Sequence, residues 1–439
     1  MQTFRQVWDA VVAFFPKNLV PIVVLLAILL VGCTGRPDIT KAPVFPADPR
    51  PTSTPHVVHL PGVGSGGTSP LPTATPFPSS LAPTEPPPSG PTPLPPPVPK
   101  PSYGVQVHLF AGDMAETLHW AQGLGVGWVK QQVTWHTIEH GPDDFDWELL
   151  DRAVEACNAF GFKLLLGVVH APDWTRVSEL ETGPPADYAE FGRFMGQLAT
   201  RYRGRVEAYE LWNEPNLARE WQGDTLDPTR FVALVAEGAR GVRAADPDAL
   251  VISGAPAVTG INDGVVAIDD RVFLRGMYEA GIAQWVDGIG LHPYGFANPP
   301  DESWQDSEHV ASSHHNHPSF FFRDTLEEAH AIMLEYGDTE HQIWVTEFGW
   351  PSTEGMGRMD TTGWEYEREV SEDQQADYIV RAFQMGEERP WVGPMFLWNV
   401  NLATIWGSAD PVSAYSLLRP DSAYRPAYIA LRLAEPLNP

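Results

Sequence analysis

The sequence predicts a (β/α)8 barrel carried behind an export segment and a proline-rich linker. Three observations predict it. From Tyr103 to Pro439, strand-like and helix-like patterns alternate through eight units. The strands are apolar almost without interruption, as in Lys163-Leu-Leu-Leu-Gly-Val-Val169, which suits parallel strands covered on both faces. The 337 residues of this segment accommodate a barrel of about 250 residues with loop insertions. A doubly wound open sheet is the runner-up. Neither GxGxxG nor GxxxxGK[ST] follows an early strand, so a nucleotide site gets no support.

Taken in order, residues 1–33 stand apart from the fold. Arg5 and Lys17 precede an uncharged run from Asn18 to Gly35, nearly pure aliphatic between Ile22 and Val31. This reads as the apolar region of a signal peptide or as a marginal membrane helix. It ends in Leu30-Val31-Gly32-Cys33, which resembles a bacterial lipobox, with Cys33 as the lipidated residue. The apolar core is short for a full span, which favours a lipoprotein over a transmembrane anchor. The expected location is the cell surface, outside the cytoplasmic membrane. Residues 34–102 hold 22 of the 44 prolines and read as a semi-rigid disordered stalk. Residues 103–439 are the expected catalytic domain.

Within that domain the predicted strands are Gly104–Phe110, Trp128–Trp135, Lys163–His170, Val206–Asn213, Leu250–Ala257, Asp287–Tyr294, Gln342–Phe348 and Pro394–Asn399. Predicted helices cover Glu148–Phe160, Tyr188–Tyr202, Thr229–Ala245, Arg271–Ala280, Asp324–Tyr336 and Asp373–Glu387. The first of these places Leu149, Leu150, Ala153, Val154 and Cys157 on one face, with Cys157 as a small buried hydrophobe. Asp227-Pro228 reads as a helix start, and Gly161 and Gly337 as helix ends.

Composition narrows the function. With 56 acidic and 28 basic side chains the formal charge is −28, which argues against nucleic acid as a partner. Two cysteines exclude a disulfide scaffold and a cysteine-rich metal domain. Sixteen Trp suit a large core, and also a surface that holds sugar rings.

In a (β/α)8 barrel, chemistry sits at the C-terminal ends of the strands. Unusual polar residues collect there: His170, Asn213, Glu214, His292, Tyr294, Glu347 and Trp398. Two carboxylates facing one another across a cleft are the apparatus of glycoside hydrolysis. One delivers a proton to the leaving oxygen, and the other attacks the sugar or activates water. No GxSxG motif offers a rival nucleophile.

The run Val206-Glu-Ala-Tyr-Glu-Leu-Trp-Asn-Glu-Pro-Asn216 resembles the strand-four signature of the clan A retaining glycoside hydrolases. Trp344-Val-Thr-Glu-Phe-Gly-Trp350 resembles their strand-seven signature. The likeness is greatest to cellulase-like family 5 and to family 39. It implies Glu214 as general acid/base and Glu347 as nucleophile, in double displacement. It also implies that Asn213 bonds the sugar 2-hydroxyl and that Tyr294 orients the nucleophile. His170 and His292 would line the pocket, and Trp398 would form a sugar platform. Family 5 enzymes usually carry an Arg on strand two, where this chain has Lys130. Glu210 is expected to form an interior ion pair, with Lys130 as its candidate partner.

Trp135, Trp174 and Trp350 could be platforms or core. Trp135 is favoured as a platform because it ends a strand on the active face. The loops at about 296–322 and 351–371, with Trp304, Phe320, Phe321, Phe322 and Trp364, are expected to shape the cleft. The loop histidines His314, His315 and His317 suggest a metal, but no carboxylate spacing supports one. No cofactor and no metal are expected, the partner is a poly- or oligosaccharide, and the chain is expected to be a monomer. Two rivals use the same barrel: a non-catalytic carbohydrate-binding surface protein, and a transglycosylase.

Overall fold

The computed structural model describes residues 94–177, 182–307, 314 and 317–437. Cys33 and the whole of 1–93 lie outside the described residues. Among the described residues no helix is long and apolar enough to cross a membrane.

Eight parallel strands close into a barrel. They are β1 (Lys100–Gln106), β2 (Val126–Thr134), β3 (Lys163–Val169), β4 (Ala208–Leu211), β5 (Leu250–Ser253), β6 (Gly288–Leu291), β7 (Gln342–Phe348) and β8 (Val392–Leu397). Each is followed by a helix: α1 (Met114–Leu124), α2 (Glu148–Ala159), α3 (Tyr188–Arg201), α4 (Pro228–Ala245), α5 (Asp270–Glu279), α6 (Phe322–Glu335), α7 (Glu372–Glu387) and α8 (Pro426–Leu433). β1 pairs with both β2 and β8, and this closes the ring.

All eight predicted strands are present; β7 has the predicted bounds and the others have at least one shifted end. β1 begins at Lys100, three residues before the expected start of the domain, and it ends at Gln106 rather than Phe110. Lys100 is buried, and its ammonium is held by the carbonyls of Val98, Leu124 and Arg432. The stalk composition had hidden the start of this strand, because Pro99 and Pro101 flank Lys100. Helices α1 and α8 were not predicted. Their signals are legible afterwards: Asp113 caps α1 by accepting from Glu116 N, Gly125 closes it in the left-handed region, and Pro426 opens α8. On α2 the apolar face is narrower than predicted, since Leu149 is exposed while Leu150, Ala153, Val154 and Cys157 are buried.

Inside the barrel the alternation of side chains builds two layers. Trp128, Leu165, Ala208, Ile252, Trp344 and Phe396 pack into an apolar plug. Two residues further along their strands, Lys130, Glu210 and Thr346 form a polar layer on top of it. Gly167 makes that layer possible. A Cβ there would lie 3.1 Å from Glu210 Oε2 and 3.4 Å from Lys130 Cε. The chemistry therefore stands on a dry, packed floor.

The loop after β7 contains a buried carboxyl with no hydrogen-bond partner on either oxygen, that of Glu367. Burial, reinforced by Asp410, pushes it up to about 9. Its folded pKa is thus raised above the unfolded one, and the folded state holds the extra proton. The stability this contributes is present below about pH 4.5 and is lost as pH rises toward 9, by up to about 1.4 kcal/mol per pH unit. Denaturant unfolding of Glu367→Gln across pH 5–9 should show a flatter dependence than wild type. Parallel curves would contradict an uncompensated carboxyl at this position.

Candidate active site

The site is built at the C-terminal mouth of the barrel, where β4 and β7 present their glutamates. β4 ends at Leu211, and the chain then turns sharply: Trp212 and Glu214 both take positive φ, at 79° and 45°. Strain of this kind costs about 1–3 kcal/mol per residue and persists only where the surroundings enforce it. Here they do. Trp212 N donates to Val168 O, Glu214 N donates to Ala255 O, and the Trp212 ring is fully buried against Phe191 and Trp221. Buried Asn216 fastens the following loop by bonding the backbone of Ala257 and Ile268. The turn swings the Glu214 carboxyl over the mouth.

Glu347 lies near the end of β7 and is buried. Lys130 Nζ donates to its Oε1 at 3.2 Å and lies 2.8 Å from Glu210 Oε2. Tyr294 OH donates to its Oε2 at 3.0 Å. With its amide oriented to satisfy both neighbours, Gln106 donates to Glu347 Oε1 at 2.9 Å and accepts from Trp398 Nε1 at 3.2 Å. Burial alone would discharge Lys130, but Glu210 and Glu347 raise its pKa, so it remains a cation. Burial and the neighbouring Glu347 hold the Tyr294 hydroxyl well above its usual value, so it stays a donor. Three donors therefore fix the Glu347 side chain.

His292 connects the two glutamates. Its Nδ1 lies 3.4 Å from Glu214 Oε1 and 4.0 Å from Glu347 Oε2. Those two oxygens can be no further apart than the sum of these distances. That bound admits the roughly 5–5.5 Å of retaining sites and also the narrow end of the roughly 6.5–9.5 Å range of inverting ones. In the same turn, Asn213 Oδ1 is buried without a hydrogen-bond partner among the described residues, an unused acceptor next to Glu214 in the chain.

Glu214 has a second neighbour. Arg219 Nη2 donates to its Oε2 at 2.8 Å. Burial would raise the pKa of Glu214. The bond to His292 and the charge of Arg219 prevail, and they hold it down to about 2. In this state Glu214 is charged.

The other predicted residues divide. Tyr294, His292 and Lys130 contact the carboxylates directly. Trp398 is partly exposed beside them, with its ring edge-on to Tyr294 at 6.3 Å. His170 ends β3 at the same mouth, but its Nε2 pairs with Glu220 at 3.1 Å. Trp135 is not a platform: it is fully buried, packs on Phe191 and Phe194, and donates to Glu139. Its side chain points outward to α3 rather than into the mouth, because the chain leaves β2 for a short helical turn at Trp135. Trp350 is likewise core, bonded to Asn298 O. Trp174 is partly buried under the Arg193 guanidinium.

Among the loop aromatics, Phe321 and Phe322 are fully buried and do not shape a cleft. Phe296 instead joins His314, Phe320 and Tyr366 into a cluster that braces the loops after β6 and β7 against one another. His314 stacks on Phe296, and His317 Nε2 lies 3.1 Å from the Arg271 guanidinium. His315 lies outside the described residues. Among the described residues, no group of three metal-ligating side chains is present.

Sequence reasoning missed Gln106, Arg219 and Glu220. Gln106 obeys the rule that found the others, a polar residue ending an apolar strand. It was hidden by placing the end of that strand at Phe110.

A model of the cellulase family, glycosyl hydrolase family 5, matches residues 103–383. Among solved structures, a family 39 glycoside hydrolase from Bacteroides cellulosilyticus WH2 is similar at 21% identity and a TM-score of 0.57. The match covers 76% of this chain and 64% of that one, so this chain spans less than two thirds of that enzyme's length. A monomeric beta-xylosidase from Caulobacter crescentus CB15 is similar at 18% identity and a TM-score of 0.55, over 77% of this chain and 69% of that one. At such identities the likeness to solved structures establishes the shared barrel. No curated protein matches the chain.

Proposed function

The chain belongs to glycosyl hydrolase family 5, and on that premise we propose that it is a retaining glycosidase acting on a poly- or oligosaccharide. Glu347 is the nucleophile and Glu214 the general acid/base. The observation that carries this reading is the unequal setting of two close glutamates. Glu347 is buried and gripped by Lys130 and Tyr294, while Glu214 reaches the mouth and keeps part of its surface open.

In the first step Glu347 Oε attacks the anomeric carbon as the glycosidic C–O bond breaks. Protonated Glu214 gives its proton to the departing oxygen. In the second step ionised Glu214 takes a proton from water, whose oxygen displaces Glu347 and restores it. Lys130 and Tyr294 hold Glu347 ionised and aimed for the first step, and stabilise its return in the second. The orphan Oδ1 of Asn213 accepts from a hydroxyl of the bound sugar. Trp398 offers an apolar face beside it. These steps need no cofactor.

Export is part of the same reading. Residues 1–33 supply a lipoprotein signal or membrane anchor and 34–99 a stalk, and the catalytic barrel begins at Lys100. The experiment is incubation of the purified protein with a polysaccharide panel, with proton NMR following the anomeric configuration of the first product. Release of sugar with retained configuration supports the proposal. Inverted product would remove the nucleophile role from Glu347. A non-catalytic binder would release nothing, and a transglycosylase would lengthen added acceptors.

A further inference from the structure

Glu214 can act as an acid only while it carries a proton, yet Arg219 stands 2.8 Å from it. Something must draw the guanidinium away during the catalytic cycle. Arg219 can be reached from the cleft, since its side chain is 57% exposed. It is also tethered on its far side, where its Nε lies 3.3 Å from Glu220 Oε1. The other oxygen of Glu220 is held by His170 Nε2 at 3.1 Å. The Glu220 contact can keep Nε in place while the terminal nitrogens swing from Glu214 toward the cleft.

This side of the mouth gathers two arginines and two histidines in a chain of formal charge −28. The His136 and His170 rings lie parallel at 6.5 Å. Burial, then His170 and Arg176, keep His136 below its usual pKa, a sign of how closely basic groups crowd here. Asp173, on Arg176, and Glu220, on Arg219 and His170, match the two arginines in charge, and Glu214 is a further carboxyl on Arg219. All these groups follow β2, β3 and β4. They therefore sit on the side of Glu214, where the leaving half of a substrate must lie to receive its proton.

We propose that Arg219 is a specificity-determining residue that binds the carboxylate of a uronic acid on the leaving-group side, and that this binding releases Glu214 to take up a proton. The inference rests on the reading of Glu214 as the acid. The planar fork of Arg matches a carboxylate bidentately, so the substrate offers what Glu214 offers. Once that exchange is made, Glu214 keeps only His292 as a close partner and can be protonated from solvent. A neutral substrate provides no such exchange, and on it the enzyme works with its acid largely ionised. The substrate class is thus an acidic polysaccharide cut next to a uronic acid.

The test compares uronic-acid-containing polysaccharides with the same polymers after carboxyl reduction, using the full-length protein. Wild type should cleave at least one acidic polymer with a kcat/KM about 10- to 100-fold above that of its reduced form. Its products should carry the uronic acid at the new non-reducing end. Arg219→Gln should lose that preference from both sides, falling on the acidic polymer and rising on the neutral one. The basic limb of its pH–rate profile on the neutral polymer should also move upward, a change that a merely structural residue would not produce. Equal cleavage of acidic and reduced polymers by wild type would overturn the inference, as would equal losses on both in the variant. Hydrolysis of neutral polymers alone would overturn it too, while leaving the glycosidase reading intact. Cleavage of no polymer at all would sink both.

Discussion

Glu347→Ala should lose at least about ten-thousand-fold in turnover on every substrate, whatever the leaving group. The loss follows from how much of the mouth serves this one carboxylate. Lys130 from within β2, Tyr294 from just past β6 and Gln106 from the end of β1 converge on it. None of them can attack a sugar in its place. The fold should survive, because Lys130 keeps its 2.8 Å partner Glu210 and no buried cation is left unpaired. Thermal unfolding near that of wild type is therefore part of the expected result. Added azide should fill the space left by the carboxylate and restore turnover, giving a glycosyl azide of inverted configuration. Wild-type activity on the natural polymer would remove Glu347 from the chemistry.

Glu214→Ala should behave differently, and the contrast tests the division of labour. On a polymer, whose leaving group is poor, turnover should fall about 100- to 10,000-fold. On an aryl glycoside with a dinitrophenolate leaving group, glycosylation of the enzyme should persist, because that group departs without a proton. Hydrolysis of the intermediate should then be slow, and the glycosyl-enzyme should accumulate as a burst of phenolate. Azide should relieve it with retained configuration, since it attacks the intermediate from the side that Glu214 normally serves. Reversed stereochemistry in the two variants would mean that the roles are exchanged.

Much of this arrangement was legible in the sequence because two periodicities overlay one another. Apolar runs marked the strands, and each change from apolar to polar marked the mouth of the barrel. Glu214, Glu347, His292 and Tyr294 were found by that rule. The ion pair of Lys130 and Glu210 followed from period two along β2 and β4. Strand ends were less legible, because apolar residues continue past them: Val107, Leu109 and Phe110 prolong the pattern of β1 beyond Gln106, its last residue. Trp135 was misplaced for a related reason. Its position at a strand end pointed to the cleft, but the turn that begins there carries its ring into the layer between β2 and α3. Arg219 lies in a loop, where no periodicity operates. Only the fold shows that the turn at Trp212 brings it back onto Glu214.

The central claim is that Glu347 forms a covalent bond to the sugar. The direct measurement is mass spectrometry of the full-length protein after incubation with 2-deoxy-2-fluoro glycosides bearing dinitrophenolate, followed by peptide mapping. Fluorine beside the anomeric carbon slows both steps, and the activated leaving group spares the first, so the intermediate persists. The account predicts a single added glycosyl mass, on the peptide containing Trp344–Trp350, at Glu347. A label on Glu214 or Glu210, or an unlabelled enzyme that releases inverted product from its natural polymer, would contradict it.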